Sequence, residues 1–196
     1  MDSTIFNEVK IGKQVWMAEN LNVATFRNGD PIPEAKTEEE WKKAGKNRQP
    51  AWCYYENRAV QDDPIYGENY GKLYNWYAVN DPRGLAPKGW HIPTDDEWTV
   101  LTNFLGEEAG YKMYKKGYNR VDFKEGINES GFNGLMCGYR SSDGPFYNIG
   151  EFGFWWSSAE NDAFYAWFRK LYFKFGIIGR DYKGKGEGVS VRCLRD

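Results

Sequence analysis

Apolar and polar positions divide the chain into two regions with different periodicity. Before Phe132, apolar residues recur every three or four positions within several short segments, as they do in amphipathic helices. From Phe132 onward, short apolar runs are separated by turns that contain Gly, Asp and Asn. Helices clustered before strands indicate an α+β domain, because a parallel sheet requires helices and strands to alternate.

A capping box predicts the first helix, over 38–44. The hydroxyl of Thr37 can cap this helix while Glu40 reaches back to the Thr37 amide, and Gly45 ends it. A second helix is predicted over 70–79, and an Asp-Pro pair follows it. Its apolar positions recur at helical spacing and are Tyr70, Leu73, Tyr74 and Tyr77.

The best-marked helix of the chain begins after Thr94. Thr94 is a favourable N-cap, Glu97 completes its capping box, and Gly106 ends the helix. A fourth short helix is predicted over 107–115. The apolar stripe of the Thr94 helix consists of Trp98, Leu101, Phe104 and Leu105.

Strands are predicted at both ends of the chain. The segment 9–17 reads as a hairpin that turns at Gly12 and Lys13, and the aromatic run 51–55 as a strand. We therefore expect two to four short helices packed on twisted antiparallel sheets. No linker divides the chain, so residues 1–196 are expected to form a single domain. The later strands are predicted over 134–140, 153–158, 166–173 and 188–194.

Composition excludes several classes of protein. Aromatic residues make up 18% of the chain, too many for a disordered protein. The mean hydropathy is −0.77 and the apolar runs are short, so no transmembrane segment is expected. The formal net charge is −2, and the basic residues are scattered among acidic ones. Nucleic-acid binding is not expected, since it requires a basic face. No signal peptide is recognisable before Ile5.

The residues that most often carry catalysis or bind metals do not form a recognisable motif. Cys53, Cys137 and Cys193 are too far apart for a compact metal or redox motif, which leaves one disulfide and one thiol, or three buried thiols. His91 is the single histidine, and a structural role is expected for it. The carboxylates at 95–97 stand in the first turn of a helix, where the macrodipole favours them. We therefore expect no catalytic residue, no metal ligand and no cofactor.

Several motifs, in the same order along the chain, resemble the Fibrobacter succinogenes major paralogous domain family. They are VWMAENL at 15–21, WCYY at 52–55, YGKLYNWYAV at 70–79, APKGWHIPTDDEW at 86–98, FWWSS at 154–158 and VSVRC at 189–193. That family is in turn similar to the C-type-lectin-like fold of formylglycine-generating enzymes, also called sulfatase-modifying factors. The resemblance implies a C-type-lectin-like fold and a bacterial protein that is secreted or held at the cell surface.

The resemblance also bears on the cysteines and on calcium. It implies a disulfide between Cys53 and Cys193, which leaves Cys137 as a free thiol. An oxidase of the formylglycine-generating type would need a close cysteine pair near the C-terminus, and Cys193 has none. The lectin strings Glu-Pro-Asn, Gln-Pro-Asp and Trp-Asn-Asp are missing, so a lectin-type calcium site is not expected. A structural calcium ion held by loop carboxylates stays open, because Ca²⁺ requires only oxygen ligands in flexible geometry.

A candidate binding surface is predicted between Ser157 and Tyr182. Alternation along 166–173 places Trp167, Arg169 and Leu171 on one face of a strand and the intervening residues on the other. Both faces carry aromatic residues, so one set is expected to be only partly buried. Tyr, Trp and Arg beside Asn dominate adaptable binding surfaces. The predicted ligand-binding residues are Glu160, Asn161, Asp162, Tyr165, Trp167, Arg169, Tyr172, Arg180 and Tyr182.

Three functions are compatible with this sequence. The favoured one is a non-catalytic binding module that presents the C-terminal aromatic surface to a protein or glycan. The second is an enzyme, either carbohydrate-active or a degenerate oxidase, which would need paired carboxylates in a cleft. The third is a structural or adhesion subunit that self-associates through Cys137 or exposed aromatic residues. Asp62 and Asp63, in a predicted loop, have no explanation under any of the three.

Overall fold

The computed structural model describes residues 6–58, 70–115, 126–172 and 174–196, and these form a mixed structure of four helices and antiparallel sheets. The α+β prediction is therefore confirmed. Asp62 and Asp63 lie outside the described residues. The helices are α1 (Glu38–Lys46), α2 (Trp76–Val79), α3 (Asp95–Leu105) and α4 (Ala109–Met113).

Eleven strands belong to the described residues. Among them, no helix is long and apolar enough to cross a membrane. The strands are β1 (Glu8–Ile11), β2 (Gln14–Met17), β3 (Trp52–Cys53), β4 (Leu73–Tyr74), β5 (Trp90–His91), β6 (Cys137–Arg140), β7 (Phe146–Ile149), β8 (Phe152–Glu160), β9 (Tyr165–Tyr172), β10 (Ile177–Gly184) and β11 (Leu194–Arg195).

The strands form four sheets, and the sheet at the chain ends brings the two termini together. β1 and β2 are the predicted hairpin, and β2 pairs with the last strand, β11, through Trp16 and Leu194. The order in this sheet is β1-β2-β11-β5. A three-stranded sheet has the order β10-β9-β8, and the pairs β3-β4 and β6-β7 complete the set. The three-stranded sheet carries the surface described below.

Both predicted capping boxes are present. In α3 the amide of Glu97 donates to the Thr94 hydroxyl at 3.2 Å, and the Glu97 carboxylate accepts the Thr94 amide at 2.8 Å. The same reciprocal bonds join Thr37 and Glu40 at the start of α1. His91 lies beside α3, with Nε2 3.0 Å from Glu97 Oε1 and Nδ1 2.9 Å from Asp196 Oδ1. These local bonds explain why both helices begin where the sequence predicts.

We expect Glu97→Gln to lower the free energy of unfolding at pH 7 by about 0.5–1 kcal/mol, since the carboxylate is half-exposed and water screens part of its effect. Burial alone would raise the pKa of Glu97, but hydrogen bonds from the Thr94 amide, His91 and the Thr94 hydroxyl outweigh it and lower the pKa. A carboxyl with a lowered folded-state pKa stabilises above its unfolded pKa and stops doing so as the pH falls through the folded value.

The glutamine variant and the wild-type protein should therefore converge in acid. Urea unfolding at pH 7 and at pH 3 measures this, with the difference in unfolding free energy expected to shrink at pH 3. An equal difference at both pH values would mean that the Glu97 charge does not contribute.

The helix predicted over 70–79 is wrong in its first half. Residues 73–74 form strand β4, which pairs with β3 through Trp52–Tyr74 and Cys53–Leu73. The helix begins only at Trp76, after Asn75 caps it by accepting the Ala78 amide. Aromatic residues are also favourable in strands, so their helical spacing does not exclude a strand. Residues 73–74 form a strand because β3, from a distant part of the sequence, pairs with them.

Other element predictions were partly correct. The strands predicted over 134–140, 153–158 and 166–173 correspond to β6, β8 and β9, although position 173 lies outside the described residues. The strand predicted over 188–194 reduces to β11 and isolated bridges, because Val189 and Ser190 pair singly with neighbouring segments. In α3 the predicted apolar position Phe104 is exposed, and its ring covers the turn at Gly12 instead.

The core contains two fully buried arginines that the sequence did not predict. Arg192 donates to the backbone carbonyl oxygens of Met17, Phe132 and Asn133 and to the side chain of Asn20. Arg140 donates to the carbonyl oxygens of three further residues in loops around α1. Each guanidinium donates hydrogen bonds to carbonyl oxygens that are not bonded within a helix or a sheet. These side chains therefore hold irregular segments against the core.

Candidate ligand-binding surface

Four aromatic side chains at one end of the three-stranded sheet face solvent. Phe164, Tyr165 and Tyr182 are 68%, 42% and 50% exposed, and Trp167 is half-buried beside them. The ring centroids of Tyr165 and Tyr182 are 5.4 Å apart, and those of Trp167 and Tyr182 are 5.8 Å apart, both edge to face. We call these four residues the aromatic patch.

The pairing of β9 with β10 builds the patch. Their register is continuous over eight residue pairs and places Trp167 opposite Tyr182 and Arg169 opposite Arg180. The predicted alternation along β9 is confirmed, because Trp167 and Arg169 share one face while Phe168 lies on the other and packs against the core. Residues from two strands thus meet at one place because the strands are paired without a bulge.

Asp95 fixes the arginines behind the patch. Its carboxylate accepts hydrogen bonds from Arg169 at 2.8 Å and from Arg180 at 2.7 Å. Arg180 in turn lies flat against Trp167, with its Cζ 3.3 Å from the ring centroid. The first turn of α3 therefore anchors the inner edge of the patch to the sheet through one carboxylate.

Arg169, which was predicted to contact ligand, is buried beneath the patch. Its side chain is only 5% exposed and also donates to the Asp95 carbonyl oxygen and the Thr99 hydroxyl. Burial lowers the pKa of Arg169, and the Asp95 charge opposes that shift. The residue supports the patch from beneath, because the helix covers the face of the strand on which it stands.

The predicted residues Glu160, Asn161 and Asp162 lie at the rim of the patch, where Glu160 ends β8 and the other two stand in the turn to β9. Asp162 Oδ1 accepts the amides of Phe164 and Tyr165 at 2.7 and 2.8 Å, which fixes the turn. Glu160 pairs with Lys185, with Oε1 and Nζ 3.2 Å apart. All three predicted residues are exposed, and they lie beside the patch.

Tyr172 does not belong to the patch. It stands on the opposite face of β9, seven residues from Tyr165, or about 23 Å along the strand. Its ring stacks on Phe152 with centroids 4.4 Å apart and an interplanar angle of 11°. Tyr172 was included because of its residue type. Strand alternation places it on the other side of the sheet from Tyr165 and Trp167.

The predicted Cys53–Cys193 disulfide is not formed. Cys53, Cys137 and Cys193 are all buried free thiols, as in the alternative of three buried thiols. They belong to three different hydrophobic clusters of the core, which is why they do not meet. Burial raises the pKa of these thiols to about 12, 11 and 12 respectively. Such thiols are poor nucleophiles at neutral pH.

Where the surroundings shift the pKa of a carboxyl group in the described part of the chain, the shift is downward. These groups are Glu40, Asp81, Glu97 and Asp143, whereas a general acid requires a raised pKa. Within the described part of the chain, no three His, Cys, Asp or Glu side chains cluster as metal ligands. The structural calcium ion remains an untested prediction.

Sequence reasoning missed two features of this surface. Phe164 lies within the predicted segment but was not among the predicted ligand-binding residues, and it is the most exposed aromatic residue of the surface. Asp95 was explained by the helix macrodipole alone, yet it also pairs with Arg169, 74 positions away. Local sequence contains no information about that contact.

Comparison with known proteins gives the family of the chain. No curated protein and no solved structure matches it. The model of one domain family, described as the Fibrobacter succinogenes major domain, matches residues 9–195. This match spans both chain ends, the core and the aromatic patch, in agreement with the motifs found in the sequence. The chain therefore belongs to the Fibrobacter succinogenes major domain family.

Proposed function

We propose that this chain is a non-catalytic binding module that presents the aromatic patch to a protein ligand. The observation that carries the proposal is the exposure of Phe164, Tyr165 and Tyr182 on a sheet end that the described residues leave uncovered. Clustered exposed aromatic residues on a soluble domain mark interaction sites more often than scattered ones do.

The patch has the residue types and the rigid side chains that are typical of binding hot spots. Trp, Tyr and Arg dominate the energetics of protein interfaces, and rigid side chains lose little entropy on binding. Here the Asp95 carboxylate holds Arg180, and Arg180 holds the Trp167 ring. The Asp162 turn fixes the amides of Phe164 and Tyr165. These contacts favour a preorganised surface.

A protein ligand fits the patch better than a glycan does. Stacking on a sugar requires an open aromatic face, and the Arg180 guanidinium covers one face of Trp167. The rings of Tyr165 and Trp167 also meet Tyr182 edge to face, which leaves an uneven surface. Polar groups at the rim, from Glu160 to Asp162, complete the apolar centre and polar border that protein interfaces have.

The alternative functions have less support. The enzyme proposal lacks a carboxyl group with a raised pKa and a reactive thiol among the groups discussed above. Self-association through Cys137 is opposed by the complete burial of that thiol. Self-association through the exposed aromatic residues would appear as a molecular mass that increases with concentration.

We further propose a C-type-lectin-like fold and a location outside the cytoplasm. The fold proposal is supported by the order of elements, in which α3 precedes an antiparallel sheet and the last strand returns to the first hairpin. The location rests on the family resemblance.

The test is ligand capture with a triple variant, Phe164→Ala, Tyr165→Ala and Tyr182→Ala. The bait is the purified domain, offered surface and secreted proteins from the organism that carries the gene and, separately, a glycan array. We expect a specific protein whose affinity for the variant falls by about 30-fold or more, because hot-spot truncations exceed about 2 kcal/mol.

Phe104→Ala is the matched control, since Phe104 is also an exposed aromatic residue but lies on α3. It should retain wild-type binding. Unchanged capture by a folded triple variant would contradict the proposal, and binding only on the glycan array would replace the protein ligand with a glycan.

A further inference from the structure

Strand β10 is an open edge of the three-stranded sheet. It pairs with β9 on one side, and among the strands of the described residues none pairs with its other side. Its eight residues keep a continuous register with β9, whereas β8 is interrupted between Trp156 and Glu160. A long, regular edge is a template for another strand, and proteins usually shorten, bend or cover such edges.

The register identifies the outward-facing backbone groups. The Lys185 amide donates to the Phe164 carbonyl oxygen at 3.0 Å, and hydrogen-bonded pairs alternate along an antiparallel ladder. The intervening residues therefore direct their N–H and C=O groups away from β9. They are Ile178, Arg180, Tyr182 and Gly184. In agreement, the amide of Tyr182 donates to Asp181 Oδ1 at 2.9 Å instead of to β9.

Charged residues often protect a strand edge, and two cations of β10 are instead held against other parts of the protein. Arg180 binds Asp95 and lies on Trp167. Lys183 binds Glu187, with Nζ and Oε2 2.6 Å apart, and its ammonium lies 3.5 Å from the ring centroid of Tyr139. Both cations thus point along the sheet faces, whereas the Asp181 carboxylate lies at the edge and accepts the outward Tyr182 amide.

We infer that β10 is a docking edge for an extended polypeptide segment, which would add to the sheet as a further strand. This inference rests on the proposed function, and it specifies how the protein ligand is held. Main-chain hydrogen bonds to the outward groups would supply affinity, and alternate side chains of the segment would contact Tyr182 and the patch. The patch and the edge therefore form one site, because Tyr182 belongs to both and Arg180, an edge residue, lies on Trp167 of the patch.

The protein ligand of the proposed function is the occupant that we infer for this edge, because Tyr182 belongs both to β10 and to the patch. A two-fold pair centred on Arg180 would oppose two arginines, and one centred on Asp181 would oppose two aspartates. Like charges directly opposite each other destabilise a strand pair. A pair centred on Tyr182 would instead oppose Asp181 to Lys183, so a second copy is one of the outcomes that the test separates.

The probe is a phage-displayed library of linear 12-residue peptides, selected on the wild-type domain. Selected peptides are then synthesised with an N-methyl group at each position in turn, and their affinities are measured by calorimetry. We expect alternate N-methylations to weaken binding by about tenfold or more, because only every second peptide amide faces β10. The intervening positions should change affinity by less than about threefold.

Two domain variants accompany the scan. Gly184→Pro removes an outward amide and no side-chain contact, so it should weaken peptide binding without unfolding the sheet. Phe104→Ala should have no effect. Peptides that bind without period-two sensitivity, or fail to bind at all, would overturn strand addition. The proposed function would survive this if the captured protein still required the patch. A mass that doubles with concentration and falls with Gly184→Pro would assign the edge to a second copy and overturn the inference.

Discussion

Replacing Arg192 with methionine is expected to lower the free energy of unfolding by about 3–5 kcal/mol. Arg192 is fully buried and contacts no carboxylate among the described residues, and its guanidinium lies 4.3 Å from the ring centroid of Phe132. Its hydrogen bonds go to the side chain of Asn20 and to backbone carbonyl oxygens. The methionine side chain would fill similar space without any donor.

Two opposing effects determine the size of this change. Burial lowers the pKa of Arg192 to about 9, which shows that the folded protein disfavours the charge. Replacing a buried charged network with apolar residues can therefore stabilise a protein. That gain requires the partners to be removed as well, and the carbonyl oxygens of Met17 and Phe132 are backbone atoms that remain. Loss of their donor dominates, because each unsatisfied buried group costs about 1–3 kcal/mol.

Urea unfolding monitored by tryptophan fluorescence measures this effect. Arg195→Met is the matched control, since Arg195 is exposed and pairs with Glu8 on the surface, a contact worth at most about 1 kcal/mol. A loss below about 1 kcal/mol in Arg192→Met would mean that water or a rearranged side chain replaces the guanidinium.

Asp95→Asn should have the second-largest effect, a loss of about 3 kcal/mol, because it leaves the buried Arg169 charge without compensation. Asparagine keeps the shape and one acceptor oxygen, so the change removes the charge and the acceptor for one of the two arginines. The variant should also release Arg180, which binds the other carboxylate oxygen at 2.7 Å. We therefore expect weaker ligand binding together with lower stability.

Asp96→Asn separates this ion-pair effect from the helix macrodipole. Asp96 occupies the same turn of α3 but is exposed, so its loss should cost only about 0.3–1 kcal/mol. Equal losses for the two variants, measured by chemical unfolding, would mean that Asp95 acts only through the helix terminus.

Sequence reasoning succeeded where the determining interactions are local. The capping boxes at Thr37 and Thr94 and the turn at Gly12 are complete within a few residues, so the sequence alone reveals them. The alternation along β9 has the same origin, since successive side chains of a strand point to opposite faces.

Prediction failed where distant segments compete. Residues 73–74 became a strand because β3 was available to pair with them, and nothing within 70–79 contains that information. Arg169 was predicted to contact ligand because its pairing with Asp95, which lies on another element, could not be predicted from the local sequence. The cysteines were assigned a disulfide by family pattern, but the fold places them in separate clusters.

Covalent footprinting of aromatic side chains, with and without the captured ligand, is the most direct test of the aromatic patch. We expect Phe164, Tyr165 and Tyr182 to lose reactivity when the ligand binds. Phe104 on α3 is also exposed, and its reactivity should not change. If Phe104 were protected while the reactivity of the patch residues stayed the same, the ligand would bind elsewhere and the proposed binding surface would be wrong.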